Sequence, residues 1–268
     1  MIFDTHCHAY WKGLAERQTE LRANMRAERV LRSVQIGTGW ETSQAALALS
    51  REWGADTWCT AGIHPTGCQD LPLTSARESA GRFADFIRAN RDKVVGIGET
   101  GLDYFHVTRG NEAGQRQTQL EFFRAQAELA LQLDLPLIIH TRDATDDTLA
   151  LIKSCGVKRA VIHCFSETLS FAQELLAWSG EIYISFSGIL TYRKAQGVQA
   201  AARALRLDRI LVETDAPFLV PQAVRDRFST NEPAFTRHVM EYLKTLRSEP
   251  GDAVEQAVWN NSNRFYSV

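Results

Sequence analysis

The sequence predicts an α/β protein, a TIM (β/α)8 barrel, on three observations. Eight short apolar runs, most of them rich in Val and Ile, are separated by segments of helical period, and strands alternating with helices make a parallel sheet. The number eight favours closure into a barrel over a doubly wound open sheet. Residues that carry chemistry recur at the C-terminal ends of the runs, the face on which barrel active sites lie. No Pro-rich or Gly/Ser-rich linker, internal repeat or low-complexity tract interrupts the chain, so one domain over 1–268 is the simplest organisation.

In chain order the predicted strands are Ile2–Cys7, Arg32–Gly37, Thr57–His64, Val94–Thr100, Leu135–Thr141, Arg159–Phe165, Glu181–Ser187 and Arg209–Thr214. The first ends in Asp4-Thr-His6-Cys-His8, where a period of two points both imidazoles the same way. The third ends in Gly-Ile-His64-Pro, an exposed loop entry. The fourth, Val94-Val-Gly-Ile-Gly, stops at glycines and presents Glu99 and Asp103, so that backbone or ligand can approach Glu99 closely. The fifth ends in His140-Thr-Arg142, the sixth in His163-Cys164, and the eighth in Glu213-Thr-Asp215. Helical period marks Thr42–Trp53, Ala76–Asn90, Thr118–Leu133, Ala144–Cys155, Leu169–Trp178, Lys194–Leu207 and Ala234–Leu246, and Asn260–Phe265 reads as a helix end tucked against the barrel.

Composition sets the outer bounds. With 44% hydrophobic and 23% charged residues the chain can build a sizeable core. Its net charge of −2 excludes a global basic field, so a phosphate-bearing partner has to be gripped locally by a metal or a few Arg and Lys, with shallow salt dependence. No signal peptide and no bilayer-length apolar run are present, which points to a cytoplasmic protein without a membrane partner. Five cysteines, odd in number and without CxxC spacing, read as reduced thiols. Nothing calls for an obligate protein partner.

Five of the seven histidines fall at predicted strand ends. A carboxylate leaving a buried strand needs a cationic partner, which makes Glu99 the centre of a candidate divalent-metal site. His6, His8, Glu99, His140, His163 and Asp215 are too many donors for one tetrahedral ion and suit two ions bridged by a carboxylate, the usual machinery for phosphate esters. Hard carboxylates favour Mg or Mn, with Zn possible. His64 is read as a phosphate contact. Asp4 and Glu213, each two residues before a candidate ligand, are read as carboxylates orienting a histidine. Asp103 and Arg142 form either an ion pair or a positioning pair for substrate or ligands. Cys7 and Cys164 alternate away from the site into apolar packing. Tyr10, Trp11, Tyr104 and Phe105 either stack on bases or pack the loops.

With these residues in place, the chain resembles the TatD family of metal-dependent hydrolases, within the amidohydrolase superfamily. The motifs carrying the resemblance are DTHCH, GIHP, GETGLDY, LPLIIHTRDA, VIHCFS, SFSGILTY, ILVETDAPFL, NEP and a terminal N-x-N-R-x-F, running almost end to end. It implies a TIM barrel of metal-dependent hydrolase type and a Mg- or Mn-dependent deoxyribonuclease that trims single strands from the 3′ end. His6, His8 and Asp215 would then hold one ion, His140 and His163 the second, and Glu99 would bridge them, with His64 on the scissile phosphate. Two departures bear on substrate. The Val220–Thr230 segment lacks the family's His-Arg-Gly-Lys-like stretch, leaving Arg225 and Arg227 as candidate phosphate contacts, and Glu167 follows HCFS where relatives commonly have Gly or another small residue.

These readings give Asp215, Glu99 and His64 as catalytic, two divalent ions as cofactors, and single-stranded DNA or DNA ends, with RNA also open, as the partner. The alternatives are a hydrolase of the same superfamily acting on a non-nucleic ester, an amide or an aminoacyl-tRNA, and a non-catalytic binding barrel.

Overall fold

The computed structural model describes residues 1–268. Eight strands, β1 (Ile2–Cys7), β2 (Val30–Gln35), β3 (Thr57–Ala61), β4 (Val94–Asp103), β5 (Leu137–Arg142), β6 (Ala160–Ile162), β7 (Ile182–Phe186) and β8 (Ile210–Val212), lie in sequence order in one sheet. Every neighbouring pair is parallel. The helices α1 (Gln18–Ala27), α2 (Trp40–Trp53), α3 (Pro65–Cys68), α4 (Ser75–Ala89), α5 (Glu112–Leu133), α6 (Thr145–Cys155), α7 (Leu169–Trp178), α8 (Gln196–Ala204), α9 (Thr236–Leu246) and α10 (Gly251–Tyr266) supply the outer ring. This is a TIM barrel, as the alternation predicts.

The sheet closes at the end that carries the histidines. Cys7 bridges Ala216, and the Asp215 N–H donates to the His6 carbonyl at 2.9 Å while His8 N–H donates to Ala216 at 2.8 Å. The seam between first and last strand therefore fixes His6, His8 and Asp215 against one another through backbone alone.

A layer of side chains from seven strands, Phe3, Val34, Val95, Ile138, Val161, Tyr183 and Leu211, clusters with Phe265 and Tyr266 of α10, and Trp58 of β3 leans on it. His140, His163 and Glu213 stand two residues beyond Ile138, Val161 and Leu211, so period two lifts them one layer toward the mouth. A cluster of 57 buried residues packs between strands and helices.

Several boundaries differ from the sequence expectation. β3 stops at Ala61 rather than His64, and β6 and β8 keep three residues each, because the backbone leaves the ladder where it turns into ligand-bearing loops. β4 instead runs on to Asp103, since Gly101, Leu102 and Asp103 pair with His140, Thr141 and Arg142. α1 escapes sequence reading because only Leu21 and Met25 are buried in it. No helix is long and apolar enough to cross a membrane.

Candidate metal centre

Glu99 is 4% exposed and sits at the focus of the barrel mouth. Its Oε1 faces His163 Nε2 at 2.8 Å, His140 Nδ1 at 3.2 Å and His64 Nε2 at 3.4 Å, while its Oε2 faces His6 Nε2 at 3.4 Å. Asp215 Oδ1 lies 3.6 Å from His6 Nε2 and 3.5 Å from His8 Nε2. Each oxygen of one carboxylate thus looks into a different set of imidazoles. Three groups of possible ion-holding atoms result: His6, His8 and Asp215; His6, Glu99 and His163; and His64, Glu99 and His140.

The local sequence explains why the glutamate can sit there. Gly98 and Gly101, at φ +128° and +133°, flank it on the strand. A Cβ on Gly98 would stand 2.5 Å from the Ile138 carbonyl oxygen, and one on Gly101 would stand 1.9 Å from that of His140. Only glycine permits both the conformation and the approach. The register between β4 and β5 shifts between Ile97 and Thr100, a local irregularity of the kind that re-aims a side chain. Two buried glutamines of α5 fix the flanks. Gln126 accepts from the Ile63 N–H and donates to Thr100, and Gln119 accepts from the Asp103 N–H and donates to its carbonyl.

Three of the histidines are held at their far nitrogen. Glu213 faces His163 Nδ1 at 3.2 Å, Asp103 faces His140 Nε2 at 3.2 Å, and the Ile36 carbonyl faces His8 Nδ1 at 3.0 Å. Such outer partners fix tautomer and ring orientation and leave the inner nitrogen toward the centre. His6 differs, for neither of its buried ring nitrogens has a hydrogen-bond partner. Burial pushes the His6 pKa down, so its imidazole is neutral and carries a free lone pair. An orphaned buried nitrogen beside two carboxylates fits a divalent cation, and the mixed N and O donors suit Zn, Mn or Mg.

Electrostatics point the same way. Burial alone would raise the Glu99 pKa, yet the charge of His163 and the hydrogen bonds of His140 and His163 hold it well below the usual carboxylate range. Burial opposes charge on His163 as well, but Glu99 and Glu213 outweigh it and lift its pKa well above the ordinary value. Positive charge is therefore drawn to this cluster, by protons where no cation supplies it.

A family model described as TatD related DNase matches residues 3–267. The chain belongs to that family. It is 30% identical over 270 residues to a Bacillus subtilis protein named as the uncharacterized metal-dependent hydrolase YabD, covering 100% of both chains. It is 31% identical over 239 residues to the 3'-5' ssDNA/RNA exonuclease TatD of Erwinia tasmaniensis, covering 87% of this chain and 86% of that one. Among solved structures, the TatD homolog YJJV of Escherichia coli superposes with a TM-score of 0.84 at 27% identity, over 100% of this chain and 98% of that one.

The walls of this TatD-family cavity, about 850 Å³, correct several expectations. Asp103 and Arg142 are register partners but make no ion pair. The Asp103 carboxylate turns to His140 and His106, and the Arg142 guanidinium lies 3.7 Å from the centre of the Phe105 ring. Asp4 orients no histidine; it accepts from Thr214 N–H and Oγ1, and the β1–β2 register shifts between Asp4 and Cys7, which breaks the simple alternation. Burial raises the Asp4 pKa to about 7. Cys164 does not alternate away. It has φ +45°, lines the cavity, and has Sγ 3.2 Å from Ser187 Oγ. Arg225 and Arg227 stay out of the cavity wall, stacking instead near Tyr192 and Phe228. Tyr10 and Tyr104 are tied down by bonds to Ile36 and Asp147, whereas Trp11 remains in the wall and Phe105 in solvent.

Sequence reasoning missed His106, Gln119 and Gln126. His106 Nδ1 lies 2.7 Å from Asp103 Oδ2 and its ring lines the cavity. Its position three residues after Asp103, in the loop of a ligand-bearing strand, was the available signal.

Proposed function

We propose that this metal-dependent hydrolase cleaves DNA phosphodiester bonds, releasing nucleotides from the 3′ end of single strands at a site for two divalent ions. The observation that carries the reading is the Glu99 carboxylate, with Oε1 toward His140 and His163 and Oε2 toward His6 in the His6, His8 and Asp215 set. One carboxylate between two donor sets suits a bridge between two ions. His6, His8 and Asp215 would hold one ion, His140 and His163 the other, with Mg or Mn matching the carboxylate share of the donors. When bound, such ions supply Lewis acidity toward phosphate oxygens and a water of lowered pKa.

The side chains do the rest. Asp215, held below its ordinary pKa by His8 and His6 against the opposing effect of burial, is ionised at working pH and takes a proton from the attacking water. His64 acts as a neutral donor. Burial lowers its pKa to about 4, and its Nδ1 accepts from the Thr66 N–H, so Nε2 carries the hydrogen and donates to a non-bridging phosphate oxygen. With Nε2 protonated, this tautomer favours phosphate contact over metal ligation. Arg142 in the wall adds positive charge at the rim. Similarity to the Erwinia 3'-5' ssDNA/RNA exonuclease supports strand-end action on single strands, with RNA as a second substrate.

The test is turnover of a 3′-labelled single-stranded oligonucleotide by chelator-stripped protein with Mg or Mn restored, beside Glu99→Ala and Asp215→Asn. Metal-dependent release that vanishes in Glu99→Ala and falls at least about 100-fold in a folded Asp215→Asn protein is expected. Two bound ions with no release from DNA or RNA would move the search to other esters. An active Asp215→Asn protein would remove the assigned base.

A further inference from the structure

We infer that the mouth holds one unpaired base on each side of the scissile phosphate, on two aromatic platforms at opposite rims of the barrel. The inference rests on the nuclease reading above and goes beyond it in saying how the strand is gripped. The first platform stands at the seam. Trp11, in the loop after β1, packs edge to face with Phe218, in the loop after β8, at 5.2 Å and 85°. Trp11 also stacks on His8 at 4.8 Å and 23°, which sets it directly beside the candidate ligands. The second platform follows β4 and β5. Phe105 carries the Arg142 guanidinium 3.7 Å above its ring centre and touches the His106 ring edge to face at 5.0 Å.

The sheet order makes these positions antipodal. With strands running β1 to β8 around the barrel, the β8–β1 seam and the β4–β5 junction are four strands apart by either route. Eight strands about 4.8 Å apart and tilted about 36° give a barrel roughly 15 Å across between backbones. Glu99 and His64 line the cavity between the two rims, and His64 is the side chain that would contact the phosphate. A strand crossing the mouth therefore meets an aromatic surface on either side of the bond to be cut.

Exposure argues that the rings are there for a ligand. Phe105 is 57% and Phe218 46% exposed, and neither position is needed to cover the core. A flat ring beside a guanidinium plane accepts any base, because every base has a π-face. A base stacked there has left its duplex neighbours, so the platforms select unpaired strands without reading sequence. They also take over the grip that charge does not provide, since Arg142 is the one Arg or Lys in the cavity wall.

The test pairs Phe218→Ala and Phe105→Ala with oligonucleotides that are intact, abasic at the 3′-terminal nucleotide, or abasic at the penultimate one. Both side chains are exposed, so the variants fold; Phe218→Tyr and Phe105→Tyr are the conservative rescues. Trp11 is left unaltered because it supports His8. On the intact strand each alanine variant should raise KM about 5- to 150-fold with little change in kcat, and each tyrosine variant should restore it. Each alanine penalty should disappear on one abasic strand, and on a different one for the two variants. Penalties that persist on both abasic strands, or that vanish on the same one, overturn the inference while leaving the nuclease reading standing. No release from the intact strand by the unaltered enzyme rejects the nuclease reading and the base platforms with it.

Discussion

Glu213→Gln tests whether the carboxylates behind the histidines matter to the ions. Glu213 is 1% exposed and its Oε1 accepts from the Cys164 N–H at 2.8 Å and faces His163 Nδ1 at 3.2 Å. Glutamine keeps an acceptor in that place but loses the charge. A hydrogen bond to a charged group contributes about 1.5–3 kcal/mol against about 0.5–1.5 for a neutral one, so the loss is on the order of 1.4 kcal/mol, or tenfold in affinity. Proton competition acts in the opposite sense. Glu213 helps lift the His163 pKa well above its ordinary value against the effect of burial, and an imidazolium must lose its proton before it can bind a metal. The variant loses part of that competition at low pH. The affinity gap between the two proteins should therefore be small at low pH and widen toward about tenfold as pH rises through the raised pKa of His163. Calorimetric titration of stripped protein with Mn, at several pH values, reads it directly. Equal affinities at alkaline pH in a folded variant would refute the coupling between Glu213 and the ion through His163.

Two further predictions concern the frame. Gln119→Leu removes the side chain that pairs with both backbone groups of Asp103, leaving a buried N–H without a partner; it should cost about 1–3 kcal/mol and lower Tm by roughly 2–10 °C, and an unchanged Tm would show that this clamp is dispensable. Glu255 bonds Lys244 at 2.6 Å and Arg237 at 2.8 Å, and these groups with the Met1 amine outweigh burial and depress its pKa from 4.5 to about 2. A depressed carboxylate contributes stability that is present above pH 4.5 and lost as pH falls through 2. About 3 kcal/mol at face value becomes on the order of 1 kcal/mol once solvent screening of this partly exposed group is allowed for. Glu255→Gln should therefore unfold more readily in urea at pH 6 and match the parent near pH 2; an equal deficit at both would point to packing rather than charge.

What could be read in the sequence follows from how local each signal was. The strands were legible because apolar runs of six to eight residues, most of them rich in Val and Ile, carry their own signature, and the donors were legible because each sits within a few residues of a run's end. His140, His163 and Glu213 follow from period two alone, standing one layer above Ile138, Val161 and Leu211. Period two failed where the register shifts, at Asp4 on β1 and between Ile97 and Thr100 on β4. Those shifts are set by contacts with neighbouring strands that a linear reading does not contain. The same holds for Asp103. Arg142 is its register partner and the obvious countercharge, yet the carboxylate goes to two imidazoles, one across the strand pair and one three residues along its own loop. That choice frees the guanidinium to lie on Phe105. A salt bridge to Asp103 would have bound the only Arg or Lys in the cavity wall, whereas the histidines leave it available to a substrate. The failed ion pair and the aromatic platform are thus one event, and both depend on His106, the residue the strand-end pattern passed over.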